Sequence, residues 1–150
     1  MQELKAAGET ALKSLLQSMG FEATISVEED GDIVKLNIET ADARFLIGED
    51  GDRLDDLQYL VNRMIQKNLP DAARVKVDCD QYRERSEAKI LEKARSLAEK
   101  AIESGKPMRM QPLNAYHRRL VHNQLKEMGG VATDSEEGES RYKRITIRPA

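Results

Sequence analysis

The chain has no tryptophan, only 4% aromatic residues, two histidines and one cysteine. The lone Cys79 excludes an internal disulfide, argues against a thiolate metal site, and reads as a small apolar residue of a strand. Around His117 and His122 there is no cysteine or carboxylate at ligand spacing, so neither a metal centre nor a cofactor is expected. No run approaches the roughly 18 apolar residues of a membrane span. The start, Met1-Gln2-Glu3-Leu4-Lys5, has neither the basic stretch nor the apolar core of an export signal, which points to a cytoplasmic protein without a membrane segment. A phosphate-binding Walker loop, paired catalytic carboxylates and a nucleophile triad are also missing, so an enzyme is not expected.

What is present is charge, unevenly spread. The 150 residues are 39% hydrophobic, enough for one domain or two small ones, and carry a net charge of −3. Residues 1–80 hold 9 basic against 17 acidic side chains, a balance of −8, whereas residues 81–150 hold 15 against 10, a balance of +5. An anionic polymer would be attracted to the second half and repelled by the first. A sequence pI near 5.5 argues against general nucleic-acid binding by the whole chain.

Leu4, Ala7, Ala11, Leu12, Leu15, Leu16 and Met19 recur at helical spacing up to Gly20. Two alternating segments, 23–27 and 33–38, flank Asp30-Gly31-Asp32 and read as a hairpin. A short segment, 41–47, leads through Gly48-Glu49-Asp50-Gly51 into a helix carrying Leu54, Leu57, Leu60, Val61, Met64 and Ile65 and closed by Pro70. Residues 75–79 read as a strand, which completes an α+β unit. A helix is expected over 81–104, with Asp80 as its cap and Gly105 as its stop. Strands follow at 131–135 and 142–148, around a polar turn from Glu136 to Ser140.

The most informative stretch is Pro112-Leu113-Asn114-Ala115-Tyr116-His117-Arg118-Arg119-Leu120-Val121-His122. Asn114 is a good N-cap and Gly129-Gly130 a stop, giving a helix over 115–128. Its periodicity assigns Tyr116, Leu120, Val121, Leu125 and Met128 to an apolar half, and Arg118, Arg119, His122 and Lys126 to a basic stripe. A guanidinium fork and an imidazole one turn apart suit a phosphate or a base. Arg109, Lys143 and Arg144 are further candidate contacts.

These motifs occur together in a known pairing. The order α-β-β-α-α-β, with Phe45-Leu46-Ile47-Gly48-Glu49-Asp50-Gly51 and the following Leu54-Asp55-Asp56-Leu57-Gln58-Tyr59-Leu60-Val61, resembles a type II KH domain over residues 1–80. The segment from Tyr82-Arg83-Glu84-Arg85 through Arg118 and His122 to Thr133-Asp134-Ser135-Glu136 and Arg144-Ile145-Thr146-Ile147 resembles the R-3-H domain, named for Arg-x-x-x-His, over residues 81–150. A KH domain followed directly by an R-3-H domain resembles the bacterial Jag/KhpB (SpoIIIJ-associated) family. The resemblance implies a non-catalytic protein that binds single-stranded RNA, with single-stranded DNA as the related polymer. It also implies a link to post-transcriptional control of cell elongation and division. The membrane-targeting Jag N-terminal domain of many members is expected to be absent.

Two residues depart from the pattern. The loop between the glycines, basic or neutral in most KH domains, carries Glu49 and Asp50 here, and each carboxylate repels a phosphate by about 1 kcal/mol near contact even in high dielectric. An acidic loop also suits a helix N-terminus, so an adaptor whose KH half pairs with another KH protein or with its own copy is the second expectation. His117 stands where a glutamate would complete a capping box, and is expected at the core edge beside Tyr116.

Overall fold

A computed structural model describes residues 1–150, which divide into two compact units, Met1–Arg83 and Glu84–Ala150. In the first unit α1 (Gln2–Ser18) precedes the hairpin of β1 (Thr24–Asp30) and β2 (Ile33–Glu39). Then come α2 (Ala43–Ile47), a single 3-10 turn over Glu49–Gly51, α3 (Asp52–Asn68) and β3 (Lys76–Cys79). The sheet order is β1-β2-β3, with β1 antiparallel and β3 parallel to β2. Strand β2 alternates as the sequence predicts: Val34, Leu36 and Ile38 are fully buried beneath Leu12, Leu54 and Val61 of α1 and α3. Burying each such leucine stabilises the unit by about 1.5–3 kcal/mol.

The opposite face of β2 is polar yet covered. Lys35 donates to the Gln81 side chain (2.7 Å), the Gln81 amide N–H donates to Asn37, and the Asp78 carboxylate is fully buried. Here the expected cap of the following helix is corrected. Asp80 and Gln81 both have positive φ, and it is Asp78 that accepts from the Arg83 N–H (3.1 Å) and from the Cys79 N–H (2.8 Å). Cys79 is buried in β3, the apolar role its sequence context suggested.

The second unit contains most of α4 (Tyr82–Ser104), then β4 (Met108–Arg109), α5 (Ala115–Met128), β5 (Val131–Ser135) and β6 (Ile145–Pro149). Its sheet order is β4-β6-β5, all antiparallel. Ala94, Ala98 and Ala101 make a small-residue stripe on α4 in a core shared with Met110, Leu113, Val121, Leu125, Ile145 and Ile147. β6 begins at Ile145 rather than 142, because Lys143 instead forms an isolated bridge with Leu113, exchanging both backbone hydrogen bonds. That bridge places Lys143 beside the entry to α5. Both units are mixed α and β.

Candidate nucleic-acid interface

Helix α5 starts where its cap dictates: the Asn114 side chain accepts from the His117 N–H at 2.8 Å, and Gly129, at φ 75°, ends it. The helix is turned differently from its apolar count. Val121 and Leu125 are fully buried, whereas Tyr116 is 50% and Met128 38% exposed, because the buried stripe is only two residues wide. Arg118 and His122 lie on its flank, half-buried, with Arg119 and Lys126 farther out in solvent. His117 is half-buried with its ring 5.7 Å from that of Tyr116.

The two residues of the Arg-x-x-x-His pair have different surroundings. The Arg118 Nε donates to the Asn114 carbonyl (3.4 Å) and its terminal nitrogens meet no carboxylate. His122 is engaged at both ring nitrogens: Nδ1 lies 2.5 Å from Thr133 Oγ1 and Nε2 3.0 Å from Ser135 Oγ. Thr133 and Ser135 sit opposite Ile147 and Ile145 in the sheet, so all four side chains share one face, with Thr133 half-buried and Ser135 exposed. Burial, and then the positive charge of Arg118, hold the imidazole pKa below its ordinary 6.5, against a smaller opposing pull from Asp134. Sequence reasoning missed both hydroxyls, although Val131-x-Thr133-x-Ser135 alternates along one strand face.

The other candidate cations divide in two. Arg109 pairs with Glu136 (2.5 Å), and Arg148, which is not among the candidates, pairs with Asp134 (2.6 Å). Arg118, Arg119, Lys126, Lys143 and Arg144 have no carboxylate partner. The positive end of the helix dipole at the first turn of α5 also favours an anion.

The first unit presents a different surface. Within Gly48-Glu49-Asp50-Gly51 the two acidic side chains are exposed and Asp50 has positive φ (53°). Both glycines have positive φ, and their open sides are filled by the chain itself. A methyl at Gly48 would collide with the Asp52 carboxylate and come within 2.7 Å of Arg53 Cγ; one at Gly51 would lie 3.0 Å from the Tyr82 ring. Of the two sheet edges, the β3 edge is also occupied. Val75 N–H donates to Asn62 Oδ1 (2.8 Å), Asn62 Nδ2 donates to the Val75 carbonyl (2.9 Å), Val77 N–H donates to Gln58 Oε1 (2.9 Å), and Arg83 Nε donates to the Val77 carbonyl (2.9 Å). Neither a base nor an added strand finds a free backbone group there.

The small α+β second unit, with an arginine and a histidine one turn apart on α5, defines an R-3-H domain, and the sequence profile of that domain matches residues 88–149. Over most of the chain the similarity extends further. It is 33% identical over 138 residues to RNA-binding protein KhpB of Clostridium symbiosum, covering 91% of this chain and 62% of that protein. It is 29% identical over 150 residues to RNA-binding protein KhpB of Lactiplantibacillus plantarum, covering 95% and 46%. With KhpB of Bacillus subtilis the identity is 24% over 138 residues, covering 90% and 66%. The chain carries an R-3-H domain and is a homologue of the KhpB proteins, the Jag family that its sequence resembles. It spans between 46% and 66% of the length of these three relatives.

Proposed function

We propose that this protein is a non-catalytic, single-stranded RNA-binding protein that acts in post-transcriptional control linked to cell elongation and division. Residues 81–150 serve as the R-3-H nucleic-acid-binding domain and residues 1–80 as a type II KH domain that contributes little affinity. The observation that carries this reading is the set of basic side chains left without acidic partners in the second unit: Arg118, Arg119, Lys126, Lys143 and Arg144. Acidic partners would cancel their field, and their absence leaves it for phosphates. The names of the KhpB homologues and the R-3-H profile support RNA as the ligand.

The test is titration of labelled single-stranded RNA at several salt concentrations. Arg118→Ala is expected to weaken binding by about tenfold and to reduce the salt slope by about 0.7, the value of one single-strand phosphate contact. Thermal stability should stay near that of the parent, since the guanidinium makes only a long bond from Nε to the Asn114 carbonyl and no ion pair. An unchanged slope with a lower melting temperature would make Arg118 structural.

A second reading has its own observation. Phe45 on α2, next to the acidic loop in sequence, and Tyr59, Leu60 and Met64 farther along α3 are large apolar side chains left exposed. They suit an adaptor whose KH half pairs with another KH protein or with a second copy of itself, which sedimentation of the chain over a concentration series would reveal.

A further inference from the structure

We propose that Thr133 and Ser135 are positioning residues for the RNA site: by holding both ring nitrogens of His122 they fix the flank of α5 and aim Arg118 at the ligand. This rests on the reading of the second unit as RNA-binding, and it changes the part that His122 plays there.

A neutral imidazole has one donor and one acceptor. Both are used here, one nitrogen donating to a hydroxyl and the other accepting from one. The hydroxyls are suited to this because they stand two residues apart on one face of a strand, Thr133 half-buried and Ser135 exposed. The two bonds join a helix and a strand eleven and thirteen residues apart in sequence. They act four residues from Arg118, where neighbouring side chains on a helix meet. The Nε of Arg118 is steadied by the Asn114 carbonyl, and its two terminal nitrogens have no acidic partner. The charged groups around the ring are Arg118 on its own helix and Asp134 on the strand, the latter already paired with Arg148. The division of labour is therefore a fork that meets the phosphate and an imidazole that fixes where the fork stands.

The experiment compares full-length variants for binding of a labelled single-stranded RNA of random sequence. His122→Ala, and the double variant Thr133→Val with Ser135→Ala, are each expected to bind about tenfold more weakly with an unchanged salt slope. Combining all three changes should add nothing further, because the hydroxyls act only through the ring. His122→Gln, whose amide also offers one donor and one acceptor, should bind within about twofold of the parent. A Gln variant as weak as the Ala variant would show that the ring itself touches RNA and would overturn the proposal. So would a hydroxyl-free variant that binds like the parent. A parent that binds no RNA would overturn the function itself, and with it this role. Nitrogen NMR of the His122 ring separates misfolding from a lost brace: a folded hydroxyl-free variant should shift the two ring-nitrogen resonances while its other resonances stay in place.

Discussion

At the scale of single residues, the pair Arg118 and His122 shows how a motif can be legible while its chemistry is not. Their spacing and their helix follow from Asn114, Gly129 and the recurrence of Val121 and Leu125. The partners of His122 do not, because they come from a strand whose place beside α5 is set by the packing of Ile145 and Ile147. A consequence for stability follows. The folded-state pKa of His122 lies below 6.5, so in acid the unfolded chain binds the proton more readily than the native one. Stability from this group is complete above about pH 6.5 and falls as pH drops through the lowered native pKa. Melting temperature should therefore decline between about pH 7 and pH 5 by more for the parent than for His122→Gln, which has no proton to take up. Parallel declines would mean that His122 ionises freely in the native state.

At the scale of elements, the regular helices and the β1–β2 hairpin were readable because period, caps and turns agree. The failures fall where tertiary contacts override local signals. β4 is two residues long and exists only as a partner of Ile147 and Thr146. The start of α4 is set by Asp78 from within the preceding strand, with Asp80 and Gln81 in left-handed backbone between them. The sealing of β3 is likewise invisible in sequence, since Gln58 and Asn62 read as ordinary polar positions on a helix. Asn62 nevertheless satisfies both the N–H and the carbonyl of Val75, which is 1% exposed. Asn62→Ala leaves two buried backbone groups unpaired, and at about 1–3 kcal/mol for each unpaired group it should destabilise the first unit by about 2–6 kcal/mol. Urea unfolding followed by far-ultraviolet circular dichroism measures this. A cost below about 1 kcal/mol would mean that water replaces the amide and that the edge is open.

At the scale of the whole molecule, charge and surface both favour the second half as the nucleic-acid-binding one in the proposed function. The acidic half combines its negative balance with a glycine loop whose open sides are filled by the Asp52 carboxylate, Arg53 and the Tyr82 ring. Charge and coverage are separable causes, and the double variant Glu49→Lys with Asp50→Arg distinguishes them. Reversing two charges in contact with phosphate, at about 1 kcal/mol for each repulsion removed and each attraction gained, would raise affinity well beyond tenfold. Such a gain requires the phosphate to reach the loop backbone. With Asp52 seated over Gly48 it stays outside, and charges several ångströms farther away are cut down by screening over a Debye length of about 10 Å at 0.1 M salt. The full-length double variant is therefore expected to gain less than about threefold in affinity for single-stranded RNA at low salt, and nothing measurable at high salt. Adding Asp52→Asn leaves a side chain of the same size over Gly48, so it too should add little. A gain beyond tenfold from the charge reversal alone would mean that the loop still clamps nucleic acid once its acidic side chains are gone, and the first half would then count as a second RNA site silenced only by charge.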